Sequence, residues 1–136
     1  MPPPGADPHR ERPGYRIGRR GEELAAAHLE RLGLRVIARN VRIGAGEIDL
    51  IACDGSTLVF AEVKTARATP AAGGRPGSPL ERLGTPQRRR LRRLAVRWLA
   101  QAPARPRTQT IRFDAIGVLI DGRGQLVRLE HLEGAW

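Results

Sequence analysis

Between Arg16 and Leu32 the apolar positions Ile17, Leu24, Ala25, Leu29 and Leu32 recur at helical spacing, with His28 on the same stripe, and Gly33 supplies a stop. Leu34 to Arg42 then reads as a strand, and Gly44-Ala45-Gly46 as a turn. Glu47–Cys53 and Thr57–Thr65 are two strands on either side of Asp54-Gly55-Ser56, a hairpin signal. Thr85-Pro86 marks a helix start, with Thr85 as the cap. Leu91, Leu94, Ala95, Trp98 and Leu99 then give an i, i+3, i+4, i+7, i+8 stripe, and Pro103 and Pro106 mark the exit. Thr110–Ile120 and Gln125–Leu132 are strands joined by the turn Asp121–Gly124. The predicted order is α-β-β-β-α-β-β, an α/β class with both helices packed on a central mixed sheet.

The strand Thr57–Thr65 is apolar on both faces at its start: Leu58 and Phe60 on one, Val59, Ala61 and Val63 on the other. That is the pattern of a central strand covered on both sides. On the preceding strand, strict alternation puts Ile48, Leu50 and Ala52 on one face and Glu47, Asp49 and Ile51 on the other. Residues 1–14 hold five prolines and little that is apolar, which predicts a disordered tail ahead of a single domain over 15–136. The stretch 66–84, with four glycines and three prolines, predicts a long flexible loop.

Charge sharpens this picture in one place. From Arg82 to Arg112 there are ten arginines and no acid, while the rest of the 136-residue chain balances 14 basic against 14 acidic groups. The excess of +10 is therefore local, as on a polyanion-binding surface. The plain alternative is a solvated helix face; the absence of interleaved acids favours nucleic acid. Of 24 basic residues only Lys64 is lysine. Where arginine has been accepted so widely, a surviving ammonium is either a position that needs a compact point charge or a chance survival, and its neighbours must decide. One cysteine excludes a disulfide framework, and three histidines beside it make a structural zinc site a poor reading. No apolar run is long enough to span a membrane and no signal-peptide pattern opens the chain, so a cytoplasmic protein is expected.

The candidate chemistry lies on the hairpin. If Gly55-Ser56 forms the turn, Asp49 faces Glu62 and Glu47 faces Lys64. If Asp54-Gly55 turns instead, Glu47 faces Glu62. In either register three carboxylates and one ammonium share one patch of sheet. Like charges so placed are destabilising, and a divalent cation with hard oxygen ligands, Mg²⁺ or Mn²⁺, resolves the conflict. The plain alternative is an ion pair of Lys64 with Glu62 or Glu47. Glu-x-Lys alone is a weak pattern; Asp49 on a paired strand makes it more specific.

At these residues the chain resembles a known family. Gly18-Arg-Arg-Gly21-Glu22-Glu-Leu-Ala25, Arg39-Asn40-Val-Arg42, Gly46-Glu47-Ile-Asp49-Leu-Ile-Ala52 and Phe60-Ala-Glu62-Val-Lys64-Thr-Ala-Arg67 look like the YraN family. Its members are distantly similar to archaeal Holliday junction resolvases. The resemblance, over roughly residues 16–120, implies a restriction-endonuclease-like fold and a PD-(D/E)xK metal site. Asp49 and Glu62 would be the metal ligands, Lys64 the catalytic lysine, and Glu22 the first-helix acid that completes the site. Where the family carries lysine near the start of its second long helix this chain has Gln87, with Arg88 as the stand-in. Before the aspartate stands Ile48 in place of proline.

The reading is an Mg²⁺-dependent endonuclease acting on a nucleic-acid phosphodiester, with structured or branched DNA favoured. Arg88, Arg89, Arg93 and Arg97 would hold backbone phosphates. Its rivals are a nucleic-acid-binding protein of the same fold without cleavage and an adaptor whose basic helix meets an acidic protein. A homodimer is compatible with all three. Glu47 is read as a hydrogen-bond acceptor behind the metal ligands, a ligand itself or a partner of Lys64. Asn40 and Arg42 are read as local strand-end pairs, Asp114 as a counter-charge for the arginine helix, and His28 and Trp98 as packing residues.

Overall fold

The computed structural model describes residues 13–68, 77–102, 106–108 and 110–135. Its elements are α1 (Pro13–Arg31), β1 (Arg35–Ile43), β2 (Gly46–Cys53), β3 (Thr57–Arg67), a short 3₁₀ turn η1 (Pro79–Arg82), α2 (Thr85–Gln101), β4 (Thr110–Ile120) and β5 (Leu126–Leu132). The predicted order of helices and strands is the observed one. One five-stranded sheet runs β1-β2-β3-β4-β5, with β3 and β4 parallel and every other pair antiparallel. Helix α1 ends in the left-handed Gly33, φ 87°, where Leu34 N–H reaches back to the Leu29 carbonyl at 3.0 Å. The expected N-terminal tail falls on residues 1–12, outside those described, apart from Pro13 and Gly14, which open α1. Of the expected 66–84 loop, Ala66 and Arg67 extend β3 and Pro79–Arg82 form η1, while 69–76 lie outside the described residues.

The hairpin register follows from its turn. Asp54 Oδ1 accepts from Ser56 N–H and Thr57 N–H, both at 2.8 Å, and Asp54 N–H bonds the Thr57 carbonyl. Gly55-Ser56 is thus the turn, and Leu50 opposes Ala61. Each face of the sheet is sealed by one helix. Ala25 and Leu29 of α1 bury against Leu50, Ala52, Val59, Ala61 and Ile116. Leu91, Leu94 and Ala95 of α2 bury against Ile48, Ile51, Leu58 and Phe60. Trp98 meets Phe60 edge to face at 5.7 Å, a core contact as its stripe predicts. Burying each such large side chain favours folding by roughly 1.5–3 kcal/mol.

Two local details depart from expectation. The cap of α2 is Gly84, one residue earlier than Thr85, because Gln87 Oε1 reaches back to accept Gly84 N–H at 3.1 Å. Ile48 sits on the α2 face with Ile51, not with Leu50 and Ala52. The alternation of β2 therefore slips at Asp49. Opposite it, Asn40 adopts φ 51°, and the β1–β2 ladder passes from Arg39–Leu50 to Val41–Ile48 around the pair.

Candidate metal centre

That slip builds the site. The β2–β3 ladder stops at Leu50–Ala61, and at the next position the Asp49 side chain replaces the backbone: Oδ2 accepts Val63 N–H at 2.8 Å. The strands fork there. Asp49 shares a hydrogen bond with Glu62, the residue the register sets beside it. Glu47, one step further along the fork, closes on Asp49 and on Glu22 of α1, so that one carboxylate oxygen from each of the three lies within 4.8 Å of the others. Glu22 is brought down by the close approach of α1 to β3. Gly21 is buried, and a Cβ there would overlap the Thr65 hydroxyl and lie 2.7 Å from Thr65 Cβ.

Electrostatically the cluster is in conflict. Burial, then the neighbouring Glu62 carboxylate, pushes Asp49 up to about 8, against the opposing Val63 hydrogen bond. Burial also raises Glu22, with Glu47 and Glu62 adding to it, although a hydrogen bond from Asn40 and the charge of Arg19 pull the other way. Glu22 Oε2 is out of solvent without a hydrogen-bond partner among the described residues, the Arg19 guanidinium standing 3.7 Å away. Lys64 Nζ lies 3.3 Å from Glu62 Oε1, both side chains half-buried. Hard oxygen donors, one of them orphaned, fit a divalent cation. Of the predicted residues, Glu22 and Asp49 meet with Glu47 in one trio; Glu62, the second expected metal ligand, stands outside it, joined to Asp49 by a hydrogen bond and paired with Lys64. Asn40, read from sequence as a local strand-end residue, hydrogen-bonds Glu22.

Beside the carboxylates opens a pocket of about 200 Å³ between Glu47, Glu62 and Lys64 on the sheet and Gln87, Arg90, Leu91 and Leu94 on α2. The predicted phosphate-binding arginines are spread around that helix. Successive residues i and i+4 advance by about 40° on an α-helix, so Arg89, Arg93 and Arg97 wind from the outer face toward the fork. Arg97 packs its guanidinium over Gly44 of the β1–β2 turn. Arg92 stacks on Phe113 at 5.7 Å on the far flank. Arg88, the expected stand-in for Gln87, does not line the pocket; Arg90 does.

A second polar cluster lies under the C-terminal half of α1. Asp114 of β4 is fully buried and is bound by Arg112 through two hydrogen bonds, 2.8 and 2.9 Å, by His131 Nε2 at 2.7 Å and by Gly134 N–H at 3.0 Å. His131 Nδ1 in turn meets His28 Nε2 at 3.0 Å. Burial raises the Asp114 carboxyl, but the His131, Arg112 and Gly134 hydrogen bonds outweigh it and hold the group below its ordinary range. Asp114 is therefore not a counter-charge for the arginine helix: its partners lie on β4, β5 and the segment after β5.

Comparison with known proteins shows the family of the chain. The model of "Uncharacterised protein family UPF0102" matches residues 21–118. A UPF0102 protein of Arthrobacter sp. (strain FB24) is 46% identical over 118 residues, covering 87% of this chain and 93% of its own length. One from Parafrankia sp. (strain EAN1pec) is 46% identical over 125 residues, 92% of this chain and 99% of its own. A third, from Beutenbergia cavernae, is 48% identical over 118 residues, 87% and 93% of the two chains.

Proposed function

The chain belongs to the uncharacterised protein family UPF0102, also called the YraN family, and from that premise we propose that it is a metal-dependent hydrolase of nucleic-acid phosphodiesters, with structured DNA the favoured substrate. The observation that carries the reading is the fork, where Glu22, Glu47, Asp49 and Glu62 crowd together beside the chain's single lysine. Among proteins, such a concentration of half-buried acids is costly unless a cation and a polyanion resolve it. Mg²⁺ or Mn²⁺, held by Asp49 with Glu22, Glu47 or Glu62, would supply Lewis acidity and stabilise charge developing on the phosphorus oxygens. Val63 N–H fixes one Asp49 oxygen and so orients the carboxylate. Lys64 orients the attacking water or holds the phosphate, while Glu62 keeps its ammonium at the mouth of the pocket. The arginines of α2 hold flanking phosphates, giving affinity without reading sequence.

A screen of structured DNA and RNA substrates with Mg²⁺ or Mn²⁺ tests this. Cleavage by the wild type that is lost in Asp49→Ala supports the hydrolase. Salt-dependent binding with no cleavage of any substrate points instead to a binding protein of the same fold.

A further inference from the structure

The pocket between sheet and helix has one wall that the metal reading does not use. Glu47, Glu62 and Lys64 form the sheet side; Gln87, Arg90 and Leu94 form the α2 side. Gln87 is occupied, since its Oε1 holds the Gly84 N–H that starts the helix. Arg90 is placed differently. It is exposed, lines the pocket, and makes no ion pair or hydrogen bond among the described residues, although two carboxylates line the same cavity. Leu94, one turn further on, and the adjacent Leu91 are both buried in the core, which fixes the phase of the helix and with it the side on which Arg90 stands. Leu94 itself packs against Gly46, where a Cβ would come within 2.7 Å of Leu94 Cδ2; this closeness sets the spacing of α2 from the start of β2.

An unpaired guanidinium across about 200 Å³ from a lysine and a carboxylate cluster has the chemistry of a phosphate clamp. The volume suits a phosphate with part of its sugar, and Leu91 and Leu94 give that sugar an apolar floor. We infer that Arg90 and Lys64 form a nucleotide-phosphate subsite beside the carboxylates, Arg90 taking the place that sequence reading gave to Arg88. The inference rests on the hydrolase reading for its reaction but not for its ligand. A nucleotide phosphate can bind there whether or not it is cut.

The probe is thymidine 3′,5′-bisphosphate, titrated into ¹⁵N-labelled full-length protein in Mg²⁺ and followed by amide shifts. The wild type should show saturable shifts around Glu62–Lys64 and Gln87–Leu91. Arg90→Gln should bind about tenfold more weakly, Arg90→Lys should recover part of the loss, and Arg35→Gln, exposed at the far end of β1 opposite Cys53, should bind like the wild type. Inorganic phosphate at the same concentrations should compete poorly. Wild-type affinity in Arg90→Gln, no binding by the wild type, or equal competition by inorganic phosphate each overturns the subsite. Cleavage is scored separately. A wild type that binds the bisphosphate through Arg90 but cuts nothing refutes the hydrolase and leaves the subsite standing; one that cuts while Arg90→Gln binds normally does the reverse.

Discussion

Helix α1 lies over two polar clusters, and they are built on opposite principles. Under its C-terminal half, the buried Asp114 carboxylate has a partner for each oxygen: Arg112, His131 and the Gly134 amide surround one acid with donors. Near its N-terminal half, Glu22, Glu47, Asp49 and Glu62 meet with Lys64 and Arg19 as nearby cations, and one Glu22 oxygen has no hydrogen bond. The first cluster depresses its carboxyl's pKa; the second raises two. A satisfied buried acid stabilises a fold, whereas a crowd of acids left in conflict costs stability that a bound cation would recover.

The comparison breaks most visibly at Asp114. Asp114→Ala leaves a guanidinium, an imidazole and an amide without their acceptor, and should cost about 3–5 kcal/mol in urea unfolding. Asp49→Asn, measured in the same way without metal, should cost nothing or stabilise slightly. Equal losses at both sites would erase the distinction.

Metal comes next in size. At about 100 times its dissociation constant, Mg²⁺ or Mn²⁺ should stabilise the wild type by roughly 2.7 kcal/mol, read as a shift in thermal midpoint. Asp49→Asn should lose this shift and Asp114→Ala should keep it. A midpoint that ignores millimolar metal would show that the fork alone is not a cation site.

Acid should then separate the clusters by direction. The folded Asp49 group titrates near 8 and its unfolded counterpart near 3.8, so metal-free protein loses stability as pH rises between those values and regains it on acidification. Asp114 is shifted the other way, and its contribution is present above the ordinary aspartate value of 3.8 and lost as pH falls below it. Unfolding free energies from pH 8 down to 3 should rise and then fall, and Asp49→Asn should flatten the upper limb alone.

The smallest stability effect belongs to Lys64. Lys64→Arg keeps a cation beside Glu62 and should change stability by no more than about 0.5 kcal/mol. It should nonetheless lower cleavage by about 10²-fold, because a planar guanidinium cannot replace a compact ammonium at the mouth of the pocket. Full activity would leave Lys64 as an ion-pair partner only.

Sequence patterning was enough for much of this. The two-sided burial of β3 was visible in Leu58–Val63, the α2 stripe in Leu91–Leu99, and the hairpin in Asp54-Gly55-Ser56, although the choice between its registers awaited the Asp54 hydrogen bonds. Strand pairing placed Asp49 beside Glu62, with Lys64 two residues further on, but not the turn of Asp49 off its expected face. Three things were not legible. The slip at Asp49 arises from a left-handed Asn40 on the neighbouring strand, and a period-two pattern cannot register a break imposed from across the ladder. The Asp114 cluster joins His28 to His131 over most of the chain's length, and no local spacing encodes such a contact. The split of the arginines between fork and outer face is a matter of helix phase against the sheet, which a count of charges does not contain.

The close seat of Gly21 on Thr65 means that the distance from Glu22 to the fork is kept by an atom the chain does not have. Gly21 and Ala25 are among the smallest residues on α1, and both are buried against its sheet. They are not exchangeable. A methyl at position 25 fills the core; at position 21 it would act as a wedge, tilting the first turns of the helix and carrying a carboxylate out of reach of its neighbours. The molecule's charge would be unchanged. Its tolerance for change at this point is set by clearance, not by chemistry, and the most conservative replacement available would be among the least permissible.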